Sequence, residues 1–280
     1  MKLKYVSRGG TVDMGGGGHM FSNISLINGF DMPSPDYEEI TYAGENGTTT
    51  IGKTDLPRIM TITGDFYGGQ KERNKVLKAF YYPGELYCDF GKTKRKISCK
   101  CTNCDDIQNY YNSGINGFTV QFQADFPYFS DYYDTVVSLA SYVNRVTDTF
   151  TLPCVFTELK TYGNVENRVD MICYPVITLS TPYEPTLDTQ ILCISNDTTG
   201  VNIKLNYRMQ KDEIITLDLN TRKIHSNING NITNNITEDT YLDKFYLVPG
   251  ENILRFSSDD KKQPVTVYVT FNNLYLMSGR

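Results

Sequence analysis

"VNIKLNYRM", residues 201–209, alternates without a break. Val201, Ile203, Leu205, Tyr207 and Met209 are apolar, and Asn202, Lys204, Asn206 and Arg208 between them are polar. A period of two sends successive side chains to opposite faces of a pleated ribbon, so the stretch reads as a strand with one buried and one wet face. "NDTTG" before it and "QKDE" after it carry turn residues of hairpin connections, with "TQILCIS" and "IITLDL" as neighbouring strands. Further out, "PVTVYVTF" alternates through Val265, Val267, Val269 and Phe271, and "FYLVPGENILRF" reads as two short strands about a Pro-Gly turn. Short strands with turns between them and no helical period predict a β-sandwich from about residue 150 onward.

The first half is mixed. "ISLING", "EEITYAG" and "PRIMTITGDF" read as strands, whereas "KERNKVLKAFY" places Val76, Leu77 and Phe80 at helical spacing with charges on the other face. A hairpin follows, "ELYCDF" and "KRKISCKC" about a turn at Gly91-Lys92, and then a strand, "GFTVQFQADFPYF", ended by Pro127. In the stretch after it, Val136, Ala140, Val143 and Val146 have the spacing of a short linking helix. "GGTVDMGGGGHM", residues 9–20, is low in complexity and is expected to be a mobile arm. The fold class expected is mainly β, a β-rich α+β chain.

Composition narrows the function. With 40% apolar and 21% charged residues in 280, the chain can bury a sizeable core. No apolar run reaches the roughly 20 residues of a membrane span. "MKLKYVSRGG" has no apolar stretch behind its basic residues, so export by the general secretory route is not expected, and the seven cysteines (88, 99, 101, 104, 154, 173 and 193) are expected as free thiols. Net charge is −5, with 14 basic against 15 acidic residues up to Asp131 and 13 against 17 beyond, so neither half has the electrostatics to grip nucleic acid.

The motifs that suggest chemistry fail on spacing. In "PRIMTITGDFYGG", residues 57–69, Gly64, Gly68, Gly69 and Lys71 do not make G-x-x-x-x-G-K-[ST], and the flanking hairpins are not a βαβ unit. The reading is a strand turning into a helix. Cys99, Cys101 and Cys104 match zinc or redox spacing, but Cys99 and Cys101 lie on one face of a strand, where free cysteines pack as small hydrophobes. A fourth ligand would have to be Cys88, Asp105 or Asp106. His19 and His225 are the only histidines and sit in no nucleophile or zinc motif. The many acids show no pairing into a glycosidase dyad. Lys92, Lys94, Arg95 and Lys96 read as a solvated hairpin tip, or failing that a site for an acidic protein partner. No catalytic, cofactor or metal residue is expected.

The order of these pieces resembles the distal tail protein family of tailed bacteriophages, the siphovirus-type component at the hub of the tail tip. The residues that carry the resemblance are the G-F-x-x-P segment Gly29–Pro33, the R-x-x-x-I-x-G strand Arg58–Gly64, "FYYPGELYCDFGKTKRKISCKC", "VQFQADFPYFSD" and the late strands from "YPVITLS" to "FYLVPGENILRF". The resemblance implies a ring-forming domain with a belt or arm segment over 1–132, a linker over 133–148 and a galectin-like sandwich over 149–280. It further implies a homo-hexameric ring around a channel that DNA passes without specific binding. The partners implied are the tail tube protein, a tail-tip or tail-associated protein, and receptor-binding or side-fibre proteins. The place implied is the virion tail tip, assembled in the bacterial host cytoplasm. An enzyme is not expected. The alternative is a carbohydrate-binding β-sandwich for host-surface recognition, against which stands the absence of Trp.

Overall fold

Leu3 and Tyr5 of the first strand are buried and Lys2 and Lys4 between them are exposed, and this alternation sets the pattern of the chain. The structure is a computed structural model describing residues 1–16, 21, 23–44, 46–107, 115–144, 157–169 and 171–279. It divides into two compact units, Met1–Tyr132 with Tyr275–Arg280, and Tyr133–Leu274.

The first unit contains β1 (Lys2–Ser7), β2 (Gly10–Met14), β3 (Asn23–Asn28), β4 (Pro35–Ile40), β5 (Thr49–Asp55), β6 (Arg58–Tyr67), α1 (Gln70–Tyr81), β7 (Gly84–Asp89), β8 (Lys94–Ile107), β9 (Ile115–Ala124) and β10 (Phe129–Asp131). An antiparallel sheet runs in the order β2-β1-β7-β8-β9-β6-β3. Helix α1 buries Val76, Ala79 and Phe80. Phe80 meets Tyr5 edge-on at 5.5 Å and Phe122 at 5.4 Å. The Tyr5 hydroxyl, carried into this apolar core, donates to the Tyr82 carbonyl at 2.6 Å. Truncating Phe80 to Ala would cost about 3–5 kcal/mol, since the aromatic trio leaves little room for collapse.

In the second unit, β11 (Thr135–Asn144), β12 (Thr157–Lys160), β13 (Tyr162–Asn167), β14 (Val176–Thr181), β15 (Ile191–Asn196), β16 (Val201–Asn206), β17 (Glu213–Asp218), β18 (Lys223–Ser226), β19 (Gly230–Asn231), β20 (Gly250–Ser258) and β21 (Thr266–Phe271) form two sheets, β12-β11-β21-β14-β17-β18-β19 and β13-β20-β15-β16. Ile203 and Leu205 of β16, Leu192 and Ile194 of β15, and Leu254 of β20 meet Ile177, Ile215, Leu217, Val267 and Val269 of the other sheet in one core. This is the sandwich that the alternation predicts. Two short helical turns (Thr233–Asn235 and Leu242–Lys244) and a final strand, β22 (Leu274–Tyr275), complete the chain.

Four expectations need correction. Residues 135–144 are strand β11, between β12 and β21, and not a linking helix; Val146 lies outside the described residues. A bulge between Ser138 and Ala140 turns Leu139 and Ala140 both inward, which breaks the alternation and leaves a spacing that imitates a helix. The stretch expected as a linker therefore opens the second unit. Residues 10–14 are not an arm but β2, paired along its length with β1; residues 17–20, His19 included, lie outside the described residues. "FYLVPGENILRF" yields one strand, β20, while Phe245 and Leu247 are buried without a ladder, Leu247 making a lone bridge to Cys173. Finally, the residues from Tyr275 onward pack with the first unit.

Candidate functional site

The glycines of 57–69 serve packing. Gly64 lies where β3 crosses β6 at a bulge, and a Cβ there would stand 2.2 Å from the Asn23 carbonyl oxygen and 3.0 Å from the Phe118 ring. Only glycine allows that approach. Gly68 and Gly69 lead from β6 into α1, which carries Lys71 on its exposed side.

Two of the segments that carry the family resemblance, the one at Gly29–Pro33 and the one containing Pro127, meet at Arg58. Its side chain is 3% exposed. Nε donates to the Pro127 carbonyl at 2.6 Å, one terminal nitrogen to the carbonyls of Gly29 (2.9 Å) and Asp31 (2.7 Å), and the other to that of Leu276 (2.6 Å). The guanidinium stands 4.9 Å from the centre of the Phe129 ring, which stacks on Phe30. Burial pulls the Arg58 pKa down to about 10, against the opposing pull of Asp31 and Asp55, so the group stays charged at neutral pH. A planar fork of five donors can satisfy four carbonyls from three separate segments, which lysine cannot. Gly29 has φ +79° and its Cβ would meet the Ile59 carbonyl oxygen at 1.9 Å, so the G-F-x-x-P segment needs its glycine where it meets the arginine strand.

The tail is held in the same way. Arg95 donates to the Met277 carbonyl at 2.6 Å and lies 3.6 Å from the centre of the Tyr275 ring. The Tyr275 hydroxyl donates to Asp131 at 2.9 Å, and the Ser278 amide to the Phe30 carbonyl at 2.9 Å. The basic tip expected to be solvated is thus partly structural: Arg95 clasps the tail, Lys96 pairs with Glu85 at 3.2 Å and Lys94 with Asp89 at 3.8 Å.

This clasp also aims a hairpin. Strands β4 and β5 pair only with each other, and nearly all their side chains are exposed. The base is fixed by the Leu56 amide on the Ser34 carbonyl (2.9 Å), by the Tyr128 hydroxyl on Asp55 (2.6 Å), and by Arg58 on Asp31. Burial, then the bond to Asp55, pushes the Tyr128 pKa up to about 12. Beyond the base Tyr37, Ile40, Tyr42 and Ile51 are exposed, as are Met32, Leu56, Ile59 and Phe126 around it. A lone two-stranded ribbon is marginal in water, and a single unit leaves this one with its apolar side chains wet. It is the surface of this unit best suited to a protein partner.

Cys99 is buried and Cys101 and Cys104 are half-buried against the same core. Burial holds the Cys88 and Cys99 thiols well above their usual range and pushes Cys101 up to about 11, the opposite of what metal binding needs. Cys88 faces Arg95 across the ladder and Cys99 faces Gly84, four positions away, so Cys88 is not placed to complete a set with the trio. No group of three or more metal-ligating side chains occurs among the described residues. His225 is exposed on β18, whereas His19 and Cys154 lie outside the described residues. The convergence on Arg58 escapes sequence reasoning because its partners are main-chain carbonyls; the one signal is an arginine at the head of a strand whose next buried positions, Met60 and Ile62, are apolar.

Residues 171–275 match the family model of the siphovirus-type tail component, C-terminal domain. No curated protein matches the sequence. Among solved structures, the fold is similar to that of the Dit protein (gp 19.1) of phage SPP1, described as a paradigm of hub adsorption apparatus in phages that infect Gram-positive bacteria; identity is 11%, coverage 98% of this chain and 99% of that one, and the TM-score 0.64. A chain of the phage P2 baseplate in its activated conformation with calcium shares 9% identity over 96% of this chain and 97% of its own, with a TM-score of 0.49. Residues 171–275 are thus similar in sequence to the siphovirus-type tail component, and nearly the whole chain is similar in fold to the SPP1 Dit protein.

Proposed function

We propose that this chain, which carries the siphovirus-type tail component C-terminal domain over residues 171–275, is a structural distal tail protein of a phage or phage-like particle. In this reading six copies close a ring through their first units, around a channel that DNA crosses without specific contacts. The ring joins the tail tube to the tail-tip and receptor-binding proteins, and the second unit, Tyr133–Leu274, a galectin-like sandwich, faces those partners. No catalysis is involved. The family match over the second unit carries the proposal, and the fold likeness to the SPP1 hub protein extends it to the first.

The first unit supports a ring on physical grounds. It presents an open sheet with edges at β2 and β3, and a ribbon with exposed apolar side chains, and a cyclic assembly can cover both with one repeated contact. Immunogold labelling of virions is expected to mark the tail tip distal to the capsid, and negative-stain images of the purified protein to show six-fold rings. Label confined to the capsid or the tube wall would refute the assignment.

A further inference from the structure

We propose that Asn46, beyond the paired part of the β4–β5 hairpin, is a site of self-modification, where the chain turns an asparagine into aspartate and isoaspartate by deamidation. The site does not depend on the ring reading. Asn-Gly is the pair in which this chemistry runs most readily, because glycine has no Cβ to keep its amide nitrogen from the preceding side chain. The sequence holds four such pairs, Asn28-Gly29, Asn46-Gly47, Asn116-Gly117 and Asn229-Gly230, and as dipeptides they are equivalent. The fold ranks them.

The step needs backbone freedom. The glycine amide nitrogen gives up its proton and attacks the carboxamide carbon of the preceding asparagine. The side-chain nitrogen leaves as ammonia, and a five-membered imide closes. Water then opens the imide at either carbonyl, giving aspartate in the ordinary main chain or isoaspartate with the main chain routed through the side chain. The net change is one water in and one ammonia out, with no oxidant or reductant. The backbone must rotate to bring nitrogen and carbon together, so a pair fixed in a ladder or by its side chain has to open locally first.

Three of the pairs are held. Asn28 stands in the β3–β6 ladder opposite Thr61, and Gly29 is pressed on the Ile59 carbonyl while its own carbonyl accepts from Arg58 at 2.9 Å. Asn116 lies opposite Phe66, and Gly117 is paired on both sides, with Asp65 of β6 and Ile107 of β8. Asn229 donates its side-chain amide to the Tyr207 hydroxyl at 2.5 Å and its main-chain amide to the Ser226 Oγ at 3.1 Å, and Gly230 pairs with Ser226. Asn46 and Gly47 differ on each count. The ladder ends at Ile40 and Thr49, and the pair lies beyond it, exposed. Among the described residues, no hydrogen bond holds Asn46 or Gly47. Gly47 has φ +100° and no heavy atom within 4 Å of where a Cβ would stand, so no neighbour crowds the attacking nitrogen. Exposed loop tips are the parts of a domain that open most easily. Conversion adds a negative charge to Asp31–Asp55, which already holds six acidic residues against Lys53 alone. Isoaspartate also lengthens the main chain at the turn of a ribbon that is marginal by itself.

The test ages the full chain in neutral and in mildly alkaline buffer, digests samples with chymotrypsin, and follows the four Asn-Gly sites by tandem mass spectrometry. Methyl transfer by an isoaspartyl methyltransferase identifies the isoaspartate. Asn46 is expected to convert at least roughly tenfold faster than Asn28, Asn116 or Asn229, because only the other three must open first. Alkaline buffer is expected to speed it, since the glycine amide then loses its proton more often. In denaturant the four sites are expected to convert at similar rates, which places the selection in the fold. Gly47→Ala is expected to slow conversion at Asn46 by roughly tenfold, through the added Cβ and the narrower backbone range. An Asn46 that keeps its amide in the folded chain, another site that keeps pace with it, a ranking that survives denaturant, or equal rates in Gly47→Ala would overturn the proposal. Each of these outcomes leaves the ring reading untouched, since microscopy tests that separately.

Discussion

Replacing Arg58 by Met keeps the length and the apolar stem of the side chain and removes the fork. Four carbonyls, those of Gly29, Asp31, Pro127 and Leu276, then lose their donor together. An unsatisfied buried acceptor costs about 1–3 kcal/mol, but the outer carbonyls can recruit water and a buried cation is no longer desolvated. Taking the low end for each group gives a net loss of about 3–5 kcal/mol, a third or more of a typical domain's stability. For a unit of this size, about 3 °C per kcal/mol places the fall in Tm at roughly 9–15 °C. Differential scanning calorimetry resolves this if the two units melt separately: the first transition moves and the second stays. Arg58→Lys is expected to lie near the Met variant, because one ammonium cannot reach carbonyls on all sides. A shift below about 3 °C in the Met variant would mean that water already satisfies those carbonyls, and would refute the clasp.

Other consequences follow from the same contacts. A fragment spanning 133–274 is expected to fold by circular dichroism, whereas 149–280 is expected to be soluble only in part, since it lacks β11 with buried Leu139 and Ala140; equal unfolding midpoints for the two would contradict this. Gly29→Ala is expected to lower the stability of the first unit by about 2 kcal/mol or more, through its positive φ and the Ile59 contact, and a change within 0.5 kcal/mol in denaturant titration would refute it. Folding raises the Cys101 thiol to about 11 and Cys173 to about 12, by burial, so the stability tied to them is complete below pH about 9 and is lost as pH rises through those values. Urea midpoints are therefore expected to fall between pH 9 and 11 and to hold steady from 6 to 8, while Cys88 and Cys99 resist alkylation at pH 8; prompt labelling of either would contradict their burial.

What was legible in the residues alone is what periodicity can report. Strict alternation placed Ile203 and Leu205, and Val267 and Val269, on the buried face of the sandwich, because a strand's neighbours in a hairpin are close in sequence and burial on one face imposes the period. The 3.6-residue period placed α1, and the spacing of the glycines excluded a phosphate loop. The rest is set by contacts between segments far apart in the chain. Arg58 is satisfied by acceptors up to 218 positions away, and every residue has a carbonyl, so no residue type marks those partners. The β11 bulge put Leu139 and Ala140 on the same side and erased the alternation that would have named the strand. The return of Tyr275 and its successors to the first unit depends on Arg95, Asp131 and Phe30, which local pattern cannot join to them. Periodicity records which face is buried, and it is silent about which distant segment does the burying.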